Sequence, residues 1–233
     1  MSKIAIVTGA SCGIGLAISE RLCKLGYEVH GFGRNFEKCS LNLPTFHKVI
    51  LDIRETGKLQ EEIRRIKKDG EVYMLVNNAG AAYYGLHEEL NPAKISEMVR
   101  VNLETPMILT NLLLRDIKKN EGYIFNISSV TATQANPHGC AYGATKAGLS
   151  GFSKSLFEEQ RKYGIKVVNI QPDLTDTDLY RNADFGVDDS EYAHLLKEDV
   201  ADIVEQVLQK REGLVITDIT VRPQLHRLKK KGM

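Results

Sequence analysis

Tyr142 and Lys146 stand four residues apart within a stretch of helical periodicity, residues 140–163. Side chains at that spacing leave a helix on one face at neighbouring heights. A phenol titrates near ~10 when unperturbed, too high for efficient proton transfer at neutral pH. A nearby ammonium stabilises the phenolate and lowers that value. Taken alone, a Tyr-x-x-x-Lys pair is a frequent coincidence of helical sequence. Ser129 adds to it, being a hydroxyl at the end of the apolar run 123–127, where ligands gather in open α/β sheets. Ser128 competes, but in an extended chain it projects to the opposite side, so Ser129 is the candidate. Cys140 lies close to Tyr142, yet nothing near it in sequence would activate it as a nucleophile, and it reads as packing.

A second cluster follows the first apolar run, 4–7: Thr8-Gly9-Ala10-Ser11-Cys12-Gly13-Ile14-Gly15, leading into a helical stretch at 14–25. Glycines there let the backbone turn tightly and approach a pyrophosphate, and the helix N-terminus offers free N–H groups to the anion. Its place at the first strand-to-helix junction marks a dinucleotide site. An acidic residue at the end of the second strand would hold the ribose 2′-hydroxyl of NAD. The sequence reads Gly31-Phe32-Gly33-Arg34-Asn35 instead. A 2′-phosphate would meet the Arg34 guanidinium and no like charge, so NADP(H) is expected in preference to NAD(H). The plainer alternative is that Arg34 is an exposed loop cation.

These groups need a scaffold, and the periodicity supplies one. Short apolar runs at 4–7, 29–32, 48–51, 73–76, 123–127, 167–170 and 214–221 alternate with helical stretches at 14–25, 55–68, 92–119 (interrupted at Pro106), 140–163 and 198–210. Asn91-Pro92 reads as a capping side chain before a proline at the first helical position. The alternation predicts an α/β fold, a single-domain Rossmann-type doubly wound parallel sheet of seven strands with helices on both faces. With 233 residues, inside the ~200–250 of one α/β domain, residues 1–233 are expected to hold cofactor and substrate together. The irregular segment 175–194, rich in Asp and Tyr, is a candidate substrate loop or lid. Residues 223–233 read as a C-terminal tail whose cluster, Arg227, Lys229, Lys230 and Lys231, is solvated.

Composition excludes several classes. With 31 Lys+Arg against 30 Asp+Glu the net charge is +1, lacking the footprint of a nucleic-acid binder. Cys12, Cys23, Cys39 and Cys140 show no CxxC pair and no metal-ligand spacing, so reduced thiols and no metal are expected. The run 4–7 is far shorter than a signal core or a membrane span of ~20 residues, which points to a cytoplasmic protein without a membrane partner.

The Gly-x-x-x-Gly-x-Gly spacing of the turn resembles that of the short-chain dehydrogenase/reductase (SDR) family. The resemblance recurs in order through Asp52-Ile53, Asn77-Asn78-Ala79-Gly80, Asn102, Ser129 and Tyr142-x-x-x-Lys146, covering residues 1 to about 222. It implies that Ser129 hydrogen-bonds a substrate carbonyl, that Tyr142 donates its proton as hydride arrives from the nicotinamide, and that Lys146 lowers the Tyr142 pKa and grips the nicotinamide ribose. Asn102 would hold a water that extends the proton relay. Asp52 would bond the adenine amino group with Ile53 beside the ring, and Asn78, Ala79 and Gly80 would line the adenine ribose. After the sixth strand the family usually has Pro-Gly and a threonine that reaches the carboxamide. Here Gln171-Pro172-Asp173-Leu174-Thr175-Asp176-Thr177 keeps Pro172 and Thr177, with Thr175 between them, but replaces the glycine by Asp173. Asp173 is either a turn residue or a pocket carboxylate. A second basic residue often found inside the turn of NADP-preferring relatives is missing, because Cys12 stands there.

The resemblance implies reversible hydride transfer between NADPH and a carbonyl or alcohol, by an alcohol dehydrogenase or carbonyl reductase. A catalytically silent dinucleotide sensor or scaffold is the alternative, as is an epimerase or dehydratase on the same fold. A homodimer or homotetramer is implied through helices 92–119 and 140–163. Substrate identity depends on loops at 81–87, after Ser129, and at 175–194, where Tyr83, Tyr84, His138, Tyr180 and Phe185 are candidate lining residues.

Overall fold

The computed structural model describes residues 3–231. Seven strands form one parallel sheet: β1 (Lys3–Thr8), β2 (Glu28–Gly33), β3 (Phe46–Ile50), β4 (Glu71–Asn77), β5 (Tyr123–Ile127), β6 (Lys166–Pro172) and β8 (Asp218–Val221). Their order across the sheet is β3-β2-β1-β4-β5-β6-β8. Successive side chains of a strand face opposite sides. In β1, Ile4 and Ile6 pack on one face, with helices α2 (Thr56–Asp69), α3 (Pro92–Val99), α4 (Thr105–Lys119) and α5 (Cys140–Gln160). Ala5 and Val7 pack on the other, with α1 (Gly13–Lys24) and α6 (Lys197–Leu208). Burial on both faces is why the strands read as continuous apolar runs rather than alternating ones. Arg21 of α1 ties the second layer by pairing with Asp202 and Glu205 of α6.

The fold matches the sequence expectation, with local differences. The stretch 92–119 is not one helix kinked at Pro106: α3 passes through a five-residue π-helical segment, Arg100–Glu104, into α4. Pro106 has no N–H to offer the carbonyl four residues back, that of Asn102, and the Thr105 N–H donates five residues back to Arg100 O. The seventh strand is Asp218–Val221 rather than 214–221, its pairing with β6 starting only at Asn169 and Asp218. Arg227, Lys229, Lys230 and Lys231 are exposed to solvent as expected, but residues 223–231 are not a free tail. They contain β9 (Leu228–Lys230), antiparallel to β7 (Phe185–Val187) of the lid segment, and Lys229 pairs with Asp189 at 2.7 Å.

His30 sits in β2, 5% exposed, stacked on His47 at 4.8 Å, with no partner for its Nδ1. Burial, helped by the neighbouring His47, lowers its pKa from 6.5 to about 4. The neutral ring is therefore the folded form. As pH falls from 6.5 toward 4 the unfolded chain takes up a proton that the folded one refuses, and stability drops by up to about 3 kcal/mol. His30→Leu should flatten the fall in urea midpoint between pH 7 and pH 5. An unchanged slope would show that this ring carries none of the acid sensitivity.

Candidate active site

A cleft opens at the carboxyl ends of β1 and β4, where the strand order reverses and ligands bind in such sheets. The glycine turn forms its floor. Gly9 and Gly13 hold φ of +67° and +57°, and a Cβ on Gly9 would come within 2.9 Å of Ala79 Cα and Asn78 Nδ2. A Cβ on Gly15 would lie 2.3 Å from Gly9 O, so Gly15 packs the start of α1 against the turn and does not itself line the cleft. No side chain caps the first turn of α1, so its N-terminus faces the cleft uncovered beside Ser11, Cys12 and Ile14. A cradle this tight, ending on an open helix N-terminus, fits a dinucleotide pyrophosphate.

The floor is braced from β4. Thr8 Oγ1 accepts from Asn78 N and Ala79 N, each at 3.0 Å, and Asn78 Nδ2 donates to Thr8 O at 2.8 Å. The Asn78 side chain thus holds the turn, and Asn78, Ala79 and Gly80 all line the cleft. The clamp by Thr8 was not anticipated from sequence, although a threonine directly before the turn is a usable signal.

At one end of the cleft Asp52 lies beside Ile53, its carboxylate gripped by Arg54 at 2.6–3.1 Å. That hydrogen bonding holds Asp52 below the usual carboxylate range, with Arg34 contributing at longer range. Arg54 also reaches Glu97 at 3.1 Å, and Glu97 accepts from the Tyr83 hydroxyl at 2.8 Å. Arg34 is exposed at the end of β2 and has no hydrogen-bond or carboxylate partner among the described residues. Arg54 and Glu97 lie 43 residues apart, and their pairing left no mark in the sequence.

At the other end stand Ser129, Tyr142 and Lys146. Ser129 ends the loop after β5, its hydroxyl accepting from Thr131 N at 3.2 Å and lying beside the Tyr142 phenol. Ser128 turns the other way as expected, onto Lys146 O (3.0 Å) and Ser150 Oγ (2.9 Å). Lys146 Nζ donates to Ile127 O at 2.7 Å and sits 5.8 Å from the Tyr142 ring centre. Both side chains belong to residues only 4% exposed. Burial brings the Lys146 ammonium down to about 8. Tyr142 departs from expectation: burial raises its phenol above the ordinary range, Tyr180 adds to that, and the Ser129 hydroxyl opposes it. The ammonium, turned toward Ile127 O, does not offset the loss of water around the phenolate.

Asn102 is fully buried in the π-helical segment. Its amide donates to Ala81 O (2.8 Å) and Thr145 Oγ1 (3.0 Å) and accepts from Ala81 N (2.8 Å); Thr145 in turn donates to Tyr142 O. The Asn102 side chain is a strut that fixes the turn of α5 carrying Tyr142.

Pro172, Asp173, Thr175 and Thr177 line the wall after β6. Asp173 is both things the sequence allowed: Oδ1 accepts from Leu174 N at 2.8 Å in a local turn, and the residue faces the cleft with Oδ2 3.9 Å from Arg222 and His226. Its φ is not positive, so the position tolerates a side chain where relatives have glycine. Thr177 closes over the floor, its methyl 3.3 Å from where a Cβ on Gly13 would stand.

The model of the family described as short chain dehydrogenase matches residues 3–186. The chain belongs to the short-chain dehydrogenase/reductase family. Among SDR relatives, an uncharacterized oxidoreductase of Staphylococcus epidermidis is 31% identical over 229 residues, covering 95% of this chain and 97% of that protein. The 3-oxoacyl-(acyl-carrier-protein) reductase of Escherichia coli K12 is 36% identical over 185 residues, 77% of this chain and 76% of that one. Of solved SDR structures, a metagenomic short-chain oxidoreductase in complex with NADP superposes with a TM-score of 0.78 at 26% identity, over 96% of this chain and 97% of that one. An alcohol dehydrogenase from Thermococcus sibiricus, complexed with 5-hydroxy-NADP, shares the fold with a TM-score of 0.87 at 24% identity, over 97% and 99%. The SDR chain is an oxidoreductase by family, and no helix among its described residues is long and apolar enough to cross a membrane.

Proposed function

We propose that this SDR chain is an NADP(H)-dependent carbonyl reductase or alcohol dehydrogenase acting on CH–OH groups, with Tyr142 as general acid/base. The observation that carries the reading is the convergence of Ser129, Tyr142 and Lys146 at one end of a cleft whose other end is a glycine turn and an unpaired Arg34. The bound nicotinamide supplies the hydride. Ser129 holds the carbonyl oxygen by its hydroxyl, and Tyr142, kept protonated at neutral pH by its burial, delivers the proton to that oxygen. Lys146 holds the nicotinamide ribose and offers positive charge as the phenolate forms. Oxidation runs the same steps backward, with Tyr142 as the phenolate that takes the alcohol's proton and Lys146 supplying positive charge beside it. A silent sensor would have no need of this buried acid. Self-association as a homodimer or homotetramer through α4 and α5 belongs to the same reading, as does a cytoplasmic location.

The cofactor assignment is tested at Arg34. A guanidinium on a phosphate contributes about 1.5–3 kcal/mol, so Arg34→Ala should cost NADPH about 10–100-fold in kcat/KM while leaving NADH unchanged. A wild-type preference for NADH would overturn it.

Lys146 sets a pH limit. Its pKa is depressed to about 8, so its charge is present below that pH and lost above it. The kcat/KM for NADPH, which reports the free enzyme, is expected to fall as pH rises through about 8. A flat profile to pH 10 would remove the ammonium from cofactor binding.

A further inference from the structure

Four charged side chains line the cleft around Asp52: Arg34, Asp52 itself, Arg54 and Glu97. Two are positive and two negative, yet they do not pair one to one, because Arg54 takes both acids. Its Nε meets Asp52 Oδ1 and Oδ2 at 3.0 and 3.1 Å, its Nη2 donates to Asp52 Oδ2 at 2.6 Å, and its Nη1 donates to Glu97 Oε1 at 3.1 Å. Asp52 Oδ1 also accepts from the Arg54 N–H at 3.0 Å, and the second oxygen of Glu97 accepts from the Tyr83 hydroxyl at 2.8 Å. The guanidinium is fixed from below as well: Arg100 donates to Arg54 O through Nε and Nη2 at 3.1 and 2.9 Å.

Arg34 stands apart from this cluster. It is exposed, and among the described residues it pairs with no carboxylate. It is nonetheless within electrostatic reach of Asp52, which is held below the usual carboxylate range first by its hydrogen bonds to Arg54, with Arg34 adding to the effect from farther off. Without Arg54, one cation would face two carboxylates, and the long exposed side chain of Arg34 would have Asp52 to pair with. A phosphate could then reach Arg34 only by displacing that pair, and would meet a net negative charge as it did so.

We infer that Arg54 is a positioning residue for cofactor choice: by occupying the carboxylates of Asp52 and Glu97, it keeps the Arg34 guanidinium free for the 2′-phosphate of NADP(H). The inference rests on the NADP(H) reading above and extends it to a residue that acts through Arg34 rather than on the phosphate. The discrimination lies in the charge balance of the whole cluster and not in Arg34 alone.

Binding without turnover tests this. Kd for NADPH and for NADH is measured on the full chain by nicotinamide fluorescence, with no ketone present and at low ionic strength, where exposed charges are least screened. The wild type should bind NADPH at least about tenfold more tightly than NADH. Arg54→Gln should lower that preference about fivefold, the effect of an exposed ion pair that Arg34 must give up before it can hold a phosphate. Adding Asp52→Asn to Arg54→Gln rebalances the charges and leaves Arg34 no partner at that position. The preference should then return to within about twofold of the wild type although the Arg54 guanidinium is still missing. Any loss of adenine contact at Asp52 weakens both cofactors alike and cancels in the ratio. A preference unmoved by Arg54→Gln, or lowered by it and not restored by Asp52→Asn, would overturn the inference while the NADP(H) reading stands. A wild type that binds NADH as tightly as NADPH would overturn the reading beneath it.

Discussion

Tyr142→Phe is expected to lower kcat for carbonyl reduction by about 10²–10⁴-fold, the usual worth of a positioned general acid, with NADPH Kd nearly unchanged. The ring of Tyr142 is packed against Tyr84 and only 4% of the residue is exposed, so phenylalanine keeps the packing and removes only the hydroxyl. Ser129 still holds the carbonyl oxygen, but no proton stands ready for it, because Ser129's own hydroxyl is far too weak an acid. Stopped-flow turnover and fluorescence titration with NADPH separate the two effects. Retained kcat with retained NADPH binding would refute Tyr142 as the acid.

Gly15→Ala should weaken NADPH by about 10²-fold and lower the thermal midpoint. The added methyl would stand 2.3 Å from Gly9 O and 2.4 Å from Asn78 Nδ2. Neither can yield cheaply, since Gly9 sits at positive φ and Asn78 Nδ2 is bonded to Thr8 O. The start of α1 must shift by about 1 Å, a displacement that alone can cost 10²-fold in a positioned site. Gly57 in α2 is the control, because a Cβ there meets nothing within 4 Å. Gly57→Ala should leave NADPH binding intact and stabilise by at most about 1 kcal/mol. Equal behaviour of the two variants would mean that the turn does not carry the cofactor.

The sheet and the Ser129, Tyr142, Lys146 cluster were legible in sequence because each rests on local information: a buried strand is an apolar run, and a helical pair is a four-residue spacing. Even the choice of Ser129 over Ser128 followed from strand alternation. What escaped depends on distant partners. Three-residue strands such as β7 and β9 have no periodicity to read, and their pairing joins Gly186 to Lys229, so the segment around Lys229 passed for a free tail. Arg54 carried no signal in the sequence, and only folding placed it on Asp52 and Glu97. Pro106 was visible as an interruption, but that it would leave a π-helical segment and turn the Asn102 amide into a strut required knowing where Ala81 and Thr145 lie. The raised pKa of Tyr142 escaped for a related reason, since the depth of burial is a property of the whole fold.

The central claim is direct hydride transfer within one cleft, and isotope transfer tests it most directly. Purified protein is given NADPH deuterated at both C4 positions of the dihydronicotinamide, with a ketone that it reduces, and the alcohol is analysed by mass spectrometry. One deuterium on the carbinol carbon for each NADPH consumed, lost together with turnover in Tyr142→Phe, is the predicted result. NADPH consumption that yields unlabelled alcohol, or labelled alcohol at undiminished rate from Tyr142→Phe, would contradict the account.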